Sequence, residues 1–159
     1  MGGRHFLINA RLTGVKNMLI ETDKGLAALL TRVRHIALVG ASQKPERPSY
    51  QVMQFLLAEG YRVTPVNPML AGQRLQGQLV MGGLADIDAA VDMVDVFREG
   101  RALPGIVEEA VSLGVSALWT QLEVRHSEAE LNALAQGLDL VVDKCPQQEL
   151  PRLRALGLM

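Results

Sequence analysis

The chain has 159 residues and a mass of 17.3 kDa, the size of one domain and enough to bury a substantial core. Apolar residues make up 48% and aromatics only 4%, so the core is built from Leu, Val, Ile, Ala and Met, which suits a sheet covered by helices. A net charge of −1 makes no electrostatic case for nucleic acid or an anionic membrane, and no apolar run approaches the ~18 residues of a membrane span.

The charge is uneven. Residues 1–17 carry Arg4, Arg11 and Lys16 and no acid, and they show no period. They are expected to be a flexible tail, or a stretch upstream of a start at Met18; a transit peptide or partner-binding arm is the alternative, although the stretch lacks Ser. The domain proper is placed at 18–159. A single cysteine, Cys145, excludes an intrachain disulfide and a Cys-rich zinc site, and the default setting is the reducing cytoplasm.

From residue 22 the chain alternates. TDKGLAALLTRVR (22–34) predicts a helix with Leu26, Leu29, Leu30 and Val33 on one face, capped by Thr22 or Asp23. HIALV (35–39) predicts a buried strand, and Ser49–Glu59 a helix with Ser49 as N-cap and Gly60 as stop. YRVTPV (61–66) is the second strand. The stretch 67–90 is loop-rich, with a short strand near Leu79–Met81. VDMVDVF (91–97) is the third strand. Pro104 opens a helix that runs to Leu113, and VSALWTQ (115–121) is the next strand. SEAELNALAQG (127–137) is a helix with Ser127 and Glu130 as a capping box, and LDLVVD (138–143) is the last strand. In the closing CPQQELPRLRALGLM, Pro151 is expected to limit any terminal helix. Strands alternating with helices predict an α/β fold, a Rossmann-like doubly wound parallel sheet in a single domain.

Ligands of such sheets lie outside the carboxyl ends of the strands, which selects the loops 40–48, 67–72, 97–102, 121–126 and 143–147. The first reads GASQKPERP and runs into a helix start. Gly40 admits close backbone approach to an anion, Ser42 and Ser49 offer hydroxyls, and Lys44 and Arg47 add charge. That set fits a phosphate or pyrophosphate at a helix N-terminus. The second strand ends TPVNP and is followed by no acid before Asp86, whereas an NAD-binding sheet places Asp or Glu there for the ribose diol. Pro65, Asn67 and Pro68 instead make a stiff wall able to flank an adenine.

VGASQKPERPSYQVMQFLLAEGY, VTPVNP, VDMVDVFR, LWTQ and DKCP occur in this order. Together they resemble the small stand-alone CoA-binding domain proteins, relatives of the N-terminal domain of the succinyl-CoA synthetase alpha subunit. The resemblance spans about residues 22–152. It implies a Rossmann-like fold with coenzyme A, or an acyl-CoA, lying across the strand ends. The phosphates would lie on Gly40, Ala41, Ser42, Lys44, Arg47, Pro48, Ser49 and Tyr50. Val66, Asn67 and Pro68 would line the adenine end. Phe97 and Arg98, and then Trp119 and Gln121, would stand near the ligand after the next two strands. The chain departs from the family at Met69, where Lys is frequent, at Glu123, where Gly is frequent, at His126, and at DKCP in place of DRCP.

Residues suited to catalysis are few. Cys145, beside Lys144, could be a nucleophile or form a mixed disulfide with the CoA thiol, and His126 could be a base. Asp92 and Asp95, three apart in a strand, fall on opposite faces and make no pair. The expectation is therefore a cytoplasmic module that binds CoA without catalysis, acting as sensor, carrier or partner, with no nucleic acid or membrane and an unidentified protein partner. The alternatives are an NAD-binding redox protein, an enzyme acting on CoA esters, and an interaction protein that keeps the fold without the ligand.

Overall fold

The strands β1 (His35–Val39), β5 (Met93–Val96) and β6 (Ala117–Thr120) are buried at every position. A strand buried on both faces requires helices on both sides of its sheet. The computed structural model describes residues 18–159 and provides them. Helix α1 (Asp23–Arg32), α2 (Pro48–Ala58) and α5 (Pro146–Ala155) cover one face. Helix α3 (Leu103–Leu113) and α4 (Ser127–Ala135) cover the other. The strand alternation divides the core accordingly: Ile36, Leu38, Met93 and Trp119 face the first layer, while Ala37, Val39, Val94 and Leu118 face the second.

With β2 (Arg62–Val66) and β7 (Asp139–Val141), the five strands are all parallel in the order β2-β1-β5-β6-β7. The chain leaves β1 outward to β2, then returns to the other side of β1 as β5. The carboxyl ends of β1 and β5 therefore flank the crevice where the winding reverses. Between β2 and β5 lies a small antiparallel pair, β3 (Arg74–Leu75) with β4 (Gln78–Leu79), and Met81 bridges Val66. The short strand expected near Leu79–Met81 is thus present as β4 and this bridge. Leu19 bridges Leu140 on the outer edge of β7, where the Met18 N–H donates to Asp139 Oδ1 at 2.9 Å. The expected tail, 1–17, lies outside the described residues.

Three helix ends differ from expectation, the start of α2, where Arg47 is the N-cap, among them. The N-cap of α4 is His126, not Ser127: the Ala129 N–H donates to His126 Nδ1 at 3.1 Å, and Glu130 accepts the His126 N–H at 3.0 Å. The reciprocal capping pattern is present, shifted by one residue, and Glu130 is also held by Nε and Nη2 of Arg125. At the C-terminus, Pro151 lies inside α5 rather than limiting it. Leu150 and Leu153 are 1% and 0% exposed in the first core, and Arg152 pairs with Asp23 and Glu149. Burial and charge offset the missing N–H, which by itself costs a helix about 3 kcal/mol. Among the described residues no helix is long and apolar enough to cross a membrane.

Candidate functional site

The crevice between β1 and β5 is closed at its floor by one glycine. Gly40 has φ +94°, and a Cβ there would lie 2.5 Å from the Phe97 carbonyl oxygen. Only glycine lets the loop after β1 pass over the end of β5. The Gly40 and Ala41 N–H groups both donate to the Val66 carbonyl, at 3.0 and 3.2 Å, which ties this loop to the end of β2. Asn67 completes the tie. Its Nδ2 donates to the Ala41 carbonyl at 2.8 Å and its Oδ1 accepts the Met69 N–H at 2.8 Å. The side chain of Asn67 therefore shapes the crevice, with both its polar atoms already engaged.

Three connected cavities follow the strand ends, and Gly40 and Arg98 line all three. The β2 lobe, about 460 Å³, lies against Val66, Asn67 and Pro68 and is closed by Gly82, Gly83, Ile106 and Glu109. The loop lobe, about 340 Å³, is lined by Ala41, Ser42, Gln43, Lys44 and Arg47. The β6 lobe, about 390 Å³, runs from Pro48 and Ser49 to Phe97, Gln121, Leu122 and Val124.

The loop lobe concentrates positive charge. Five arginines of the described residues form ion pairs: Arg32, Arg101, Arg125, Arg152 and Arg154. Lys44, Arg47 and Arg98 form none among the described residues, and all three line this lobe. The start of α2 adds to them. Its N-cap is Arg47, no side chain caps it, and Pro48 follows at the first helical position. Pro48 has no N–H and the Tyr50 and Gln51 N–H groups donate to the Arg47 carbonyl, so the Ser49 N–H is the one first-turn donor left, beside the partial positive charge of a helix start. The expected N-cap, Ser49, is instead one residue inside the helix, buried, with its place in the wall of the β6 lobe. Ser42 Oγ accepts the Lys44 N–H at 3.1 Å, which turns the loop back over the lobe.

Of the residues expected to hold the coenzyme, all but Tyr50 and Trp119 line one or more lobes. Tyr50 is half-buried against the first core, and its carbonyl accepts from Gln76 Nε2. Trp119 is fully buried below the strand ends, donating through Nε1 to the Lys144 carbonyl at 2.8 Å; it belongs to the core because its side chain alternates onto the α1–α2–α5 face one step before β6 ends. The loop 143–147 also stands apart from the lobes. It follows the edge strand β7, farthest from the reversal point, and Cys145 is buried in the first core at the N-cap of α5. Residues missed in the sequence are Gly82, Gly83, Leu84, Ile106 and Glu109. The bridge of Met81 to Val66 brings the glycines to the crevice, and the Gly-Gly pair in a loop was their one signal.

Two buried polar side chains on the α1–α2–α5 side of the sheet have unpartnered oxygens among the described residues: Asp95 Oδ1 and Oδ2, and Gln121 Oε1. Asp95 lies between Leu38 and Trp119 in the sheet, and burial holds the pKa of its carboxyl well above the usual range. Asp92 serves the opposite end of the strand, where Oδ2 accepts the Arg34 and His35 N–H groups and those bonds lower its pKa against the cost of burial. His35 is structural: it bridges the Ala90 carbonyl and Thr64 Oγ1 at 2.7 Å each, and burial lowers its pKa.

Residues 34–151 match the CoA binding domain family. The chain is 32% identical to the YneT protein of Bacillus subtilis (strain 168) over 117 residues, 74% of this chain and 85% of that one. A protein from Thermus thermophilus has a solved structure with a TM-score of 0.80 and 37% identity, the match covering 84% of this chain and 99% of that chain. At 22% identity, a dinucleotide-forming acetyl-coenzyme A synthetase of Ca. Korarchaeum cryptofilum shares the fold, with a TM-score of 0.57 over 67% of this chain and 25% of that one. With a lobed crevice at the switch point of a parallel sheet and a match over most of its length, the chain belongs to the CoA binding domain family.

Proposed function

We propose that the protein binds coenzyme A or an acyl-CoA in the three-lobed crevice, as a non-catalytic module that serves as sensor, carrier or partner in the cytoplasm. The observation that carries this reading is the convergence of Lys44, Arg47 and Arg98, unpaired among the described residues, on the uncapped start of α2. Three phosphates on one ligand call for that density of positive charge. In this reading the diphosphate lies on Gly40–Ser42 and the α2 start. The adenine lies in the β2 lobe between Val66–Pro68 and Gly82–Gly83. Phe97 and Arg98 flank the ligand where it crosses β5. A module without its own chemistry is supported by the placement of the two candidate reactive groups: the Cys145 thiol is buried, and His126 Nδ1 accepts a cap bond. Neither lines the lobes.

Calorimetric titration of the full chain with CoA, and with NAD and ADP as controls, tests the reading. Micromolar binding of CoA in preference to NAD is the expected result. Preference for NAD would overturn it, and the β2 end would then need another partner for the ribose diol. Binding of none of the three would favour an interaction protein that retains the fold, with the exposed Met69 beside the lobe as its distinguishing residue.

A further inference from the structure

We infer that the β6 lobe receives the thiol end of the coenzyme carrying a short uncharged acyl group, and that Gln121 determines this preference. The inference rests on the coenzyme A reading above. The lobes follow the strand ends in sequence, and with adenine in the β2 lobe and phosphates in the loop lobe, the β6 lobe is left for the arm. Its chemistry differs from that of the loop lobe. Phe97, Leu122 and Val124 form apolar walls, and the neutral amide of Gln121 lies among them at 6% exposure, with Oε1 unpartnered among the described residues. A buried amide oxygen without a partner is costly, and a bound ligand that supplies one recovers that free energy. An amide offers one acceptor and two donors and no charge, so it matches the N–H and carbonyl groups of an amide arm and a thioester, not another phosphate.

Charge selects against an acyl group with its own carboxylate. Arg47 and Arg98 reach this lobe but also line the loop lobe, where the phosphates neutralise them. What remains is Glu99, whose ion pair with Arg101 is exposed and therefore weak. The walls are preformed. A Cβ at Gly100 would lie 2.1 Å from the Arg125 carbonyl oxygen, so the loops after β5 and β6 are in direct contact. A volume of about 390 Å³ accommodates the end of the arm and a few carbons rather than a fatty chain.

The test is calorimetric titration of the full chain with 3′-phospho-ADP, CoA, acetyl-CoA and succinyl-CoA, using wild type, Gln121→Leu and Gln121→Glu. Wild type is expected to bind acetyl-CoA at least about 3-fold tighter than CoA and about 10-fold tighter than succinyl-CoA. Gln121→Leu should erase the preference for acetyl-CoA over CoA while 3′-phospho-ADP binds as before. Equal affinities of wild type for CoA, acetyl-CoA and succinyl-CoA would overturn the inference and leave the coenzyme A reading standing. So would a loss on Gln121→Leu shared equally by 3′-phospho-ADP. Failure of all four ligands to bind would overturn both. If Gln121→Leu does not fold, Gln121→Glu decides: it must lose the acetyl preference, and retention overturns the assignment.

Discussion

Two positions show how much of this protein hangs on single residues. Gly40 combines a left-handed φ of +94° with a Cβ direction blocked by the Phe97 carbonyl. Gly40→Ala is therefore expected to lower the urea midpoint, by a destabilisation of about 1–3 kcal/mol, and to weaken CoA binding by displacing the loop after β1. Asp95 is the opposite case, a residue the core would fold better without. Folding raises its pKa, so the folded chain retains a proton that the unfolded chain releases. Its stability contribution is fully present below the ordinary Asp pKa and is lost as pH rises through the folded value. Asp95→Leu should be more stable than wild type by about 1–3 kcal/mol at pH 7, with the gap narrowing toward pH 4. Denaturant titrations of both proteins across that range check it, and a gap that widens toward acid would contradict the sign. The loop residues Gly40, Lys44 and Arg47 were legible in the sequence because their chemistry is local. The burial of Asp95 was not, since alternation assigns a face but not what covers it.

Helices and strands were legible where periodicity is strong and less so at their ends. Apart from the unforeseen two-residue β3, the strands and α1 to α4 fall within a few residues of expectation, because apolar spacing dictates which face each buries. The cap of α4 moved to His126 because its ring nitrogen accepts the Ala129 N–H and its carbonyl the Glu130 N–H, the donor that Ser127 was expected to take. Helix α5 was misread because Pro151 is a local signal against helix, while the burial of Leu150 and Leu153 is a property of the packed layer. Pro151→Ala restores an interior N–H and is expected to stabilise the protein by about 1–3 kcal/mol, less the entropy the freer chain gains on unfolding. A thermal melt reads it directly, and a lower Tm for Pro151→Ala would mean that the ring packs where no backbone bond could substitute.

A ligand spanning three lobes touches the loops after β1, β2, β5 and β6 at once, so its binding should stabilise the sheet as a unit. CoA at about 100 times its Kd should add about 2.7 kcal/mol and raise Tm by several degrees, while NAD at the same concentration leaves Tm unchanged. Added salt should shrink the effect, because Lys44, Arg47 and Arg98 are exposed cations. The alternation of strand and helix, the parallel sheet and the polar loop after β1 were readable from the chain alone, because each is written in the spacing of residues close together in sequence. The order β2-β1-β5-β6-β7 was not. It depends on crossovers that bring together segments dozens of residues apart. That order, with the bridge of Met81 to Val66, places Gly82–Gly83 and Glu109 on the crevice and removes Trp119 and Cys145 from it, since a side chain reaches a ligand only where packing leaves it uncovered.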